Sequence, residues 1–229
     1  MPQDGGGSEQ LPLDFPLRQA LAREDFLVTA SNAAAVEAVE AWPAWDKRVL
    51  FLVGPAGSGK THLSSIWKTE ARAQSVRADD LAPSAVPALL ASGALLVEDA
   101  PGTSLDERAM FHLMNLAREQ SSSVLVTTRQ RPAHWPVTLP DLLSRLRAAS
   151  VAALEAPDDD LLRGVLVKHF LDRQIAVDEA VVSLLMSRME RSLDAARRIV
   201  SEIDRRALAE RANVTRSFVA RLLAEGDDR

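Results

Sequence analysis

The sequence contains no cysteine, which excludes disulfides, a thiolate zinc site and a cysteine nucleophile together. Its four histidines, His62, His112, His134 and His169, stand at no metal-ligand spacing, so a zinc enzyme is not expected. No apolar run approaches the ~20 residues of a membrane-spanning helix. The opening MPQDGGGSEQ is acidic and glycine-rich where a signal peptide would be basic and then apolar, and a cytoplasmic protein without a membrane partner is expected. Positive charge is also in deficit: 27 Lys and Arg against 32 Asp and Glu leave −5 at neutral pH. That balance argues against a protein whose main task is to coat nucleic acid, although a local basic patch remains compatible with it. What is present is ordinary for a globular chain of 229 residues, with 47% apolar and 26% charged positions. It suffices for an α/β domain with an appendage, or for two modest domains.

The order of signals along the chain is informative. Residues 1–16 read as a flexible leader, the first nine being Gly, Ser and acid with nothing to bury. From Leu17 to Trp45 the apolar spacing is helical, with Ser31-Asn32 as an N-cap before an alanine-rich stretch. The period then changes. Val49–Val53, Ala94–Val97 and Val124–Val126 are short unbroken apolar runs of the kind that form buried parallel strands. Helical segments over 59–73 and 106–120 separate them, which implies a parallel sheet wrapped by helices across 17–156. Beyond Pro157 strand signals stop, and helices are expected over 158–174, 178–189, 192–210 and 215–223, making 157–229 a small all-helical domain. Trp42, Trp45, Trp67 and Trp135 read as core or edge packing.

Directly after the first strand stands GPAGSGKT: Gly54, Pro55, Ala56, Gly57, Ser58, Gly59, Lys60 and Thr61. Glycines at this spacing let backbone N–H groups turn toward phosphate oxygens. The lysine then reaches the β- and γ-phosphates and the threonine hydroxyl meets Mg²⁺ at the start of the next helix. His62, next to the threonine, is grouped with the loop as a nucleotide-binding residue and reads as helix packing rather than as a catalytic group. A phosphate loop needs an acid at the end of a neighbouring strand, and Glu98-Asp99 after the second strand fits that place. The usual order is aspartate first, then the acid that positions water; here it is reversed, and slow intrinsic hydrolysis is expected. Thr127 or Thr128, ending the third strand, can sense the γ-phosphate side.

These features, with Arg129-Gln130-Arg131-Pro132 after Thr127 and Leu142-Leu143-Ser144-Arg145-Leu146 later on, resemble the AAA+ ATPases in the branch of the initiator DnaA. From Gln10 onward the chain is closer still to that branch's short regulatory inactivators, the Hda group. The resemblance implies a P-loop AAA+ α/β domain with a helical lid, bound ADP or ATP with Mg²⁺ held by Thr61 and indirectly by Glu98, and an adenine-side role for Asn32. It further implies that Arg145, with Arg147 as its near competitor, is an arginine finger inserted into a neighbour's ATP site. A lid arginine that such proteins place against the γ-phosphate falls at Ala195 here, between Arg191 and Arg198, so ADP binding is as well supported as ATP sensing.

Gln10, Leu11, Leu13 and Phe15 in QLPLDF match the Gln-x-x-Leu-x-Phe peptide that binds the β sliding clamp of DNA polymerase III. The function implied is negative regulation of replication initiation: DNA reached through the clamp, DnaA as partner, and a homodimer compatible with the reading. Two alternatives stand beside it. One is a stand-alone ATPase such as a helicase loader; the other is a DNA-binding regulator using 208–223, LAERANVTRSFVARLL. That segment has helix-turn-helix spacing, with a turn at Asn213-Val214, Val219 inward and Arg211, Arg216 and Arg221 toward phosphates. The length leaves room for a nucleotide domain and lid, and none for the DNA-binding domain an initiator adds.

Overall fold

The computed structural model describes residues 23–227. After a short 3₁₀ turn at Arg23–Asp25 come α1 (Ala33–Glu40), β1 (Val49–Val53), α2 (Lys60–Glu70), β2 (Gln74–Arg77), α3 (Val86–Leu89) and β3 (Ala94–Ala100). The α/β part continues with α4 (Glu107–Glu119), β4 (Ser123–Thr128), α5 (Pro140–Arg147) and β5 (Ser150–Ala153). Four helices then follow: α6 (Asp159–Asp172), α7 (Glu179–Arg188), α8 (Leu193–Glu210) and α9 (Arg216–Asp227).

The five strands form one parallel sheet in the order β2-β3-β4-β1-β5. β1, β4 and the first residues of β3 are buried on both faces, which is why their sequences read as unbroken apolar runs. Successive side chains alternate between two cores. Phe51, Leu95, Val97, Val124 and Val126 pack with Met110, Leu113, Leu142, Leu146 and Trp135 from the α4/α5 side. Leu50, Leu52, Leu96 and Leu125 pack with Val36, Val39, Leu63 and Trp67 from the α1/α2 side. Trp67 stacks on Trp45 and meets Trp42 edge-on, while Trp135 meets Phe51, so the tryptophans do serve packing. A third core, with Leu166, Phe170, Val182, Leu185, Val200, Ile203 and Val219, belongs to the helical part.

Several expectations need correction. Within 17–45 the described residues are α-helical only over Ala33–Glu40, because Asn32 ties the preceding segment into a turn. β2 carries no apolar run and β5 only the short, small-residue run Val151-Ala152-Ala153; as edge strands with partly exposed faces, QSVR and SVAA lack the pattern of a buried strand. β3 runs past Val97 through the acids to Ala100, with an irregular register between Val97 and Ala100. Near the end, the chain leaves α8 through a left-handed Arg211 (φ 49°) at the C-cap, two residues before the expected turn at Asn213-Val214. The later helices match their signals closely, since Asp158, Asp178 and Ser192 each cap the next helix by accepting a backbone N–H three residues on.

Candidate nucleotide site

The phosphate loop leaves β1, an inner strand between β4 and β5, and enters α2 at Lys60. Gly57 (φ 68°) and Gly59 (φ 95°) take left-handed conformations that let the loop turn back on itself. Gly54 is held by its N–H donating to the Thr128 carbonyl at 3.1 Å, and a Cβ there would lie 2.8 Å from the Leu154 carbonyl. Within the loop, Lys60 Nζ donates to the carbonyls of Gly54 (2.8 Å) and Pro55 (2.7 Å). Burial, and then the positive charge of Arg129, push the Lys60 pKa down; Asp99 and Asp194 oppose this more weakly. The Ser58 hydroxyl is buried with no hydrogen-bond partner. A half-buried ammonium short of counter-charge, an orphaned hydroxyl and two opened glycines fit the phosphates of a nucleotide.

The acids after β3 take different surroundings. Glu98 follows Leu96 at the strand period of two, on the face that carries α2. Asp99 adopts φ 59°, a conformation aspartate tolerates better than most residues, and its carboxylate meets Arg77 at 3.2 Å. Both partners are more than half exposed, so the pair orients more than it stabilises. The buried Thr127 hydroxyl accepts the Asp99 N–H at 3.0 Å, whereas the Thr128 hydroxyl is turned onto Gln130. Of the two threonines, Thr127 is the one in contact with the acid pair.

The lid rests on the loop. At the start of α8, Leu193 N–H donates to the Gly57 carbonyl at 2.9 Å, and a Cβ on Gly57 would come within 2.6 Å of Ser192 Cβ. Ala195, in this first turn, is buried. The arginines on either side are engaged elsewhere in the lid, Arg191 with Asp159 and Arg198 with Glu190.

Ahead of α1, Asn32 is buried and accepts the Thr29 N–H while donating to the Leu27 carbonyl. It thereby shapes the segment that places Phe26 edge-on to His62, at 5.0 Å between ring centres. Asp158 joins this segment to the lid, accepting the N–H groups of Leu161 and Ser31. Sequence reasoning missed Asp158 as a link because its other partner lies 127 residues away. The Leu161 N–H above all, then the Thr29 and Ser31 hydroxyls, lower the Asp158 pKa, so its contribution is complete above the ordinary carboxylate value of about 3.9 and is lost as pH falls through the lowered one. Asp158→Ala is expected to lower the melting temperature at pH 7 by about 2–4 °C, the size of a helix-cap effect in a chain of this length. The gap between the two melting temperatures should narrow as the pH falls below the ordinary carboxylate value of about 3.9, and a gap that widens with acidification overturns the assignment.

Arg145 lies on the opposite side of the sheet from α2, on α5, with its guanidinium over the Phe111 ring of α4 at 5.1 Å. No carboxylate pairs with it among the described residues, and the same holds for the exposed Arg147. Gln10, Leu11, Leu13 and Phe15 lie outside the described residues. In the 208–223 segment, α8 runs unbroken from Leu193 to Glu210, Val219 is buried, and Arg221 is paired with Glu210. Ala209, on the helix before the turn, is exposed. None of the described helices is long and apolar enough to cross a membrane.

An inner strand, a phosphate loop, paired acids at the next strand but one and a group of helices seated on the loop invite comparison with solved nucleotide-binding domains. Domain III of Thermotoga maritima DnaA superposes with a TM-score of 0.74 at 20% identity, covering 92% of this chain and 98% of that one. The fold is the AAA+ fold of DnaA. AMPPCP-bound DnaA from Aquifex aeolicus gives 0.74 at 18% identity, over 93% of this chain and 72% of that one. In sequence, the chain is 26% identical to the chromosomal replication initiator DnaA of Corynebacterium jeikeium over 74% of its own length. It spans about a third (33%) of that relative. No protein-family model matches the chain.

Proposed function

We propose that this protein is a regulatory AAA+ protein of the Hda kind, which holds ADP or ATP itself and switches off DnaA by stimulating hydrolysis of the ATP that DnaA carries. The observation that carries the reading is the state of Arg145. Its guanidinium is supported by its face on Phe111 and is not bound to a carboxylate, so its N–H edge is left for a planar anionic group from outside. In the proposed reaction water attacks the γ-phosphorus of DnaA-bound ATP, the bond to the ADP oxygen breaks, and ADP, phosphate and a proton are released. Arg145, supplied in trans, neutralises charge on the transferred phosphoryl oxygens.

The protein's own nucleotide has a structural part. Lys60, the loop N–H groups and Ser58 would bind its phosphates, while Thr61 and, less directly, Glu98 would hold Mg²⁺, which would supply positive charge against the phosphates. With Asp99 paired to Arg77, and Arg191 and Arg198 held by lid carboxylates, hydrolysis by this chain alone is slow. QLPLDF would tether the protein to the β sliding clamp on DNA, bringing a net acidic chain to DNA indirectly, in the cytoplasm.

The test is DnaA-bound ATP hydrolysis in the presence of clamp-loaded DNA. Changing Gln10, Leu13 and Phe15 together to alanine is expected to weaken clamp binding by about 100-fold or more, the loss of two buried anchors and a hydrogen bond. Stimulation should then fall to that seen without clamp, while nucleotide binding stays normal. If wild type, the clamp-peptide variant and Arg145→Ala all act alike, the reading is overturned; rapid turnover without DnaA would favour a stand-alone ATPase instead.

A further inference from the structure

Arg145 sits on a short helix, and the way that helix is held has a clear origin in α4. α5 is eight residues long and has no side-chain cap of its own: Leu139 stands at its N-cap position and Pro140 follows. The missing cap comes from Glu107. Its carboxylate accepts the Leu139 N–H at 2.7 Å and the Thr138 N–H at 2.9 Å, together with the Thr138 hydroxyl at 3.2 Å. Carboxylate charge at a helix N-terminus is favourable, and the bonds to Thr138 and Leu139 are what hold the Glu107 pKa below the usual carboxylate range. Phe111 lies four residues further along α4, hence on the same face, and carries Arg145 near the other end of α5. Between these two points Leu142 and Leu146 are buried against the α4 side of the sheet.

We infer that Glu107 and Phe111, one turn apart on α4, are positioning residues that grip both ends of α5 and so set the direction in which Arg145 presents its guanidinium edge. This rests on the reading of Arg145 as a residue that acts in trans. The geometry explains how an arginine on a surface helix stays oriented without an ion pair. A carboxylate partner would occupy the donor edge that a phosphoryl group needs, whereas a ring holds the guanidinium by its face and leaves that edge open. It also explains why the aromatic stands at Phe111 although it is only partly buried: an aliphatic side chain would fill the space and lose the attraction of the ring face for the cation.

The test separates positioning from binding and from folding. Wild type, Phe111→Leu, Phe111→Tyr, Glu107→Gln and Arg145→Ala are titrated into ATP-loaded DnaA with clamp and DNA. The maximal hydrolysis rate and the half-saturating concentration are read separately, with nucleotide affinity and melting temperature measured alongside. Phe111→Leu is expected to lower the maximal rate about fivefold, the scale of one cation–π contact, with the half-saturating concentration and nucleotide affinity within about twofold of wild type. Phe111→Tyr, which keeps the ring face, should restore the rate. Glu107→Gln should also lower the maximal rate, because an amide carries no charge at the helix end.

If Arg145→Ala abolishes stimulation while Phe111→Leu and Glu107→Gln match wild type, the inference fails and the trans role of Arg145 stands. If Phe111→Tyr is as poor as Phe111→Leu, ring-face support is refuted. If Arg145→Ala itself matches wild type, the functional reading falls and takes the positioning role with it. Because Phe111→Tyr preserves ring and bulk, loss of folding in Phe111→Leu alone still leaves the Glu107→Gln and Phe111→Tyr measurements to decide.

Discussion

Replacing Arg145 by alanine is expected to cut the stimulated rate of DnaA-bound ATP hydrolysis by about 10³-fold or more while leaving the protein folded and able to bind nucleotide. An arginine supplied in trans is worth about 10³–10⁵ in rate where it meets the charge developing on a transferred phosphoryl group. The structural cost is small by comparison. Arg145 contributes a partly exposed cation–π contact to Phe111, worth about 0.5–1 kcal/mol, and the burial of α5 rests on Leu142 and Leu146. Arg145→Lys should also fail, since a lysine ammonium neither stacks on the ring in the same way nor offers a planar fork of donors. Single-turnover hydrolysis of radiolabelled ATP on DnaA reads the effect. If Arg145→Ala retains more than about a tenth of the stimulation and Arg147→Ala loses it, the finger is Arg147.

The second large effect concerns Lys60. Lys60→Ala is expected to weaken adenine-nucleotide binding by about 100-fold or more, the loss of two charge-assisted hydrogen bonds to phosphate at about 1.5–3 kcal/mol each, partly offset by water. The nucleotide-free protein should behave differently. The ammonium is half-buried, bound to loop carbonyls and crowded by Arg129, so without phosphate to pair with it adds little to folding stability. Lys60→Ala without nucleotide should melt at or near the wild-type temperature. Wild type with nucleotide at 100 times its dissociation constant should gain about 2.7 kcal/mol of stability, a gain the variant should lack at the same concentration. A variant that still shows the full nucleotide-dependent rise in melting temperature would remove Lys60 from the site.

The two expectations depend on different scales of information. Gly54 to Thr61 and the run before it are local signals, legible because a phosphate loop is a matter of residue spacing between one strand and one helix. The lid helices were legible for the same reason: Asp158, Asp178 and Ser192 each act on a backbone N–H three residues away. The edge strands β2 and β5 were not, because an edge strand is defined by its neighbour more than by its own apolar content. The left-handed residue after α8 is Arg211, two residues before the turn expected at Asn213-Val214, because a helix end is settled by tertiary packing as well as by the residue that best tolerates the turn.

The sequence by itself determined the fold class, the central strands, the phosphate loop and the lid, since hydrophobic period, glycine spacing and helix caps act within a few residues of one another. Only the tertiary structure decided how the acids and arginines are used. It sends the Asp99 carboxylate to Arg77, seats Leu193 on Gly57, draws Arg191 and Arg198 to lid carboxylates, and leaves Arg145 over Phe111 with its helix capped by Glu107. A charged side chain is long and its partners are chosen by packing between distant segments, so its role is set by what the folded chain brings within reach and by what it leaves free.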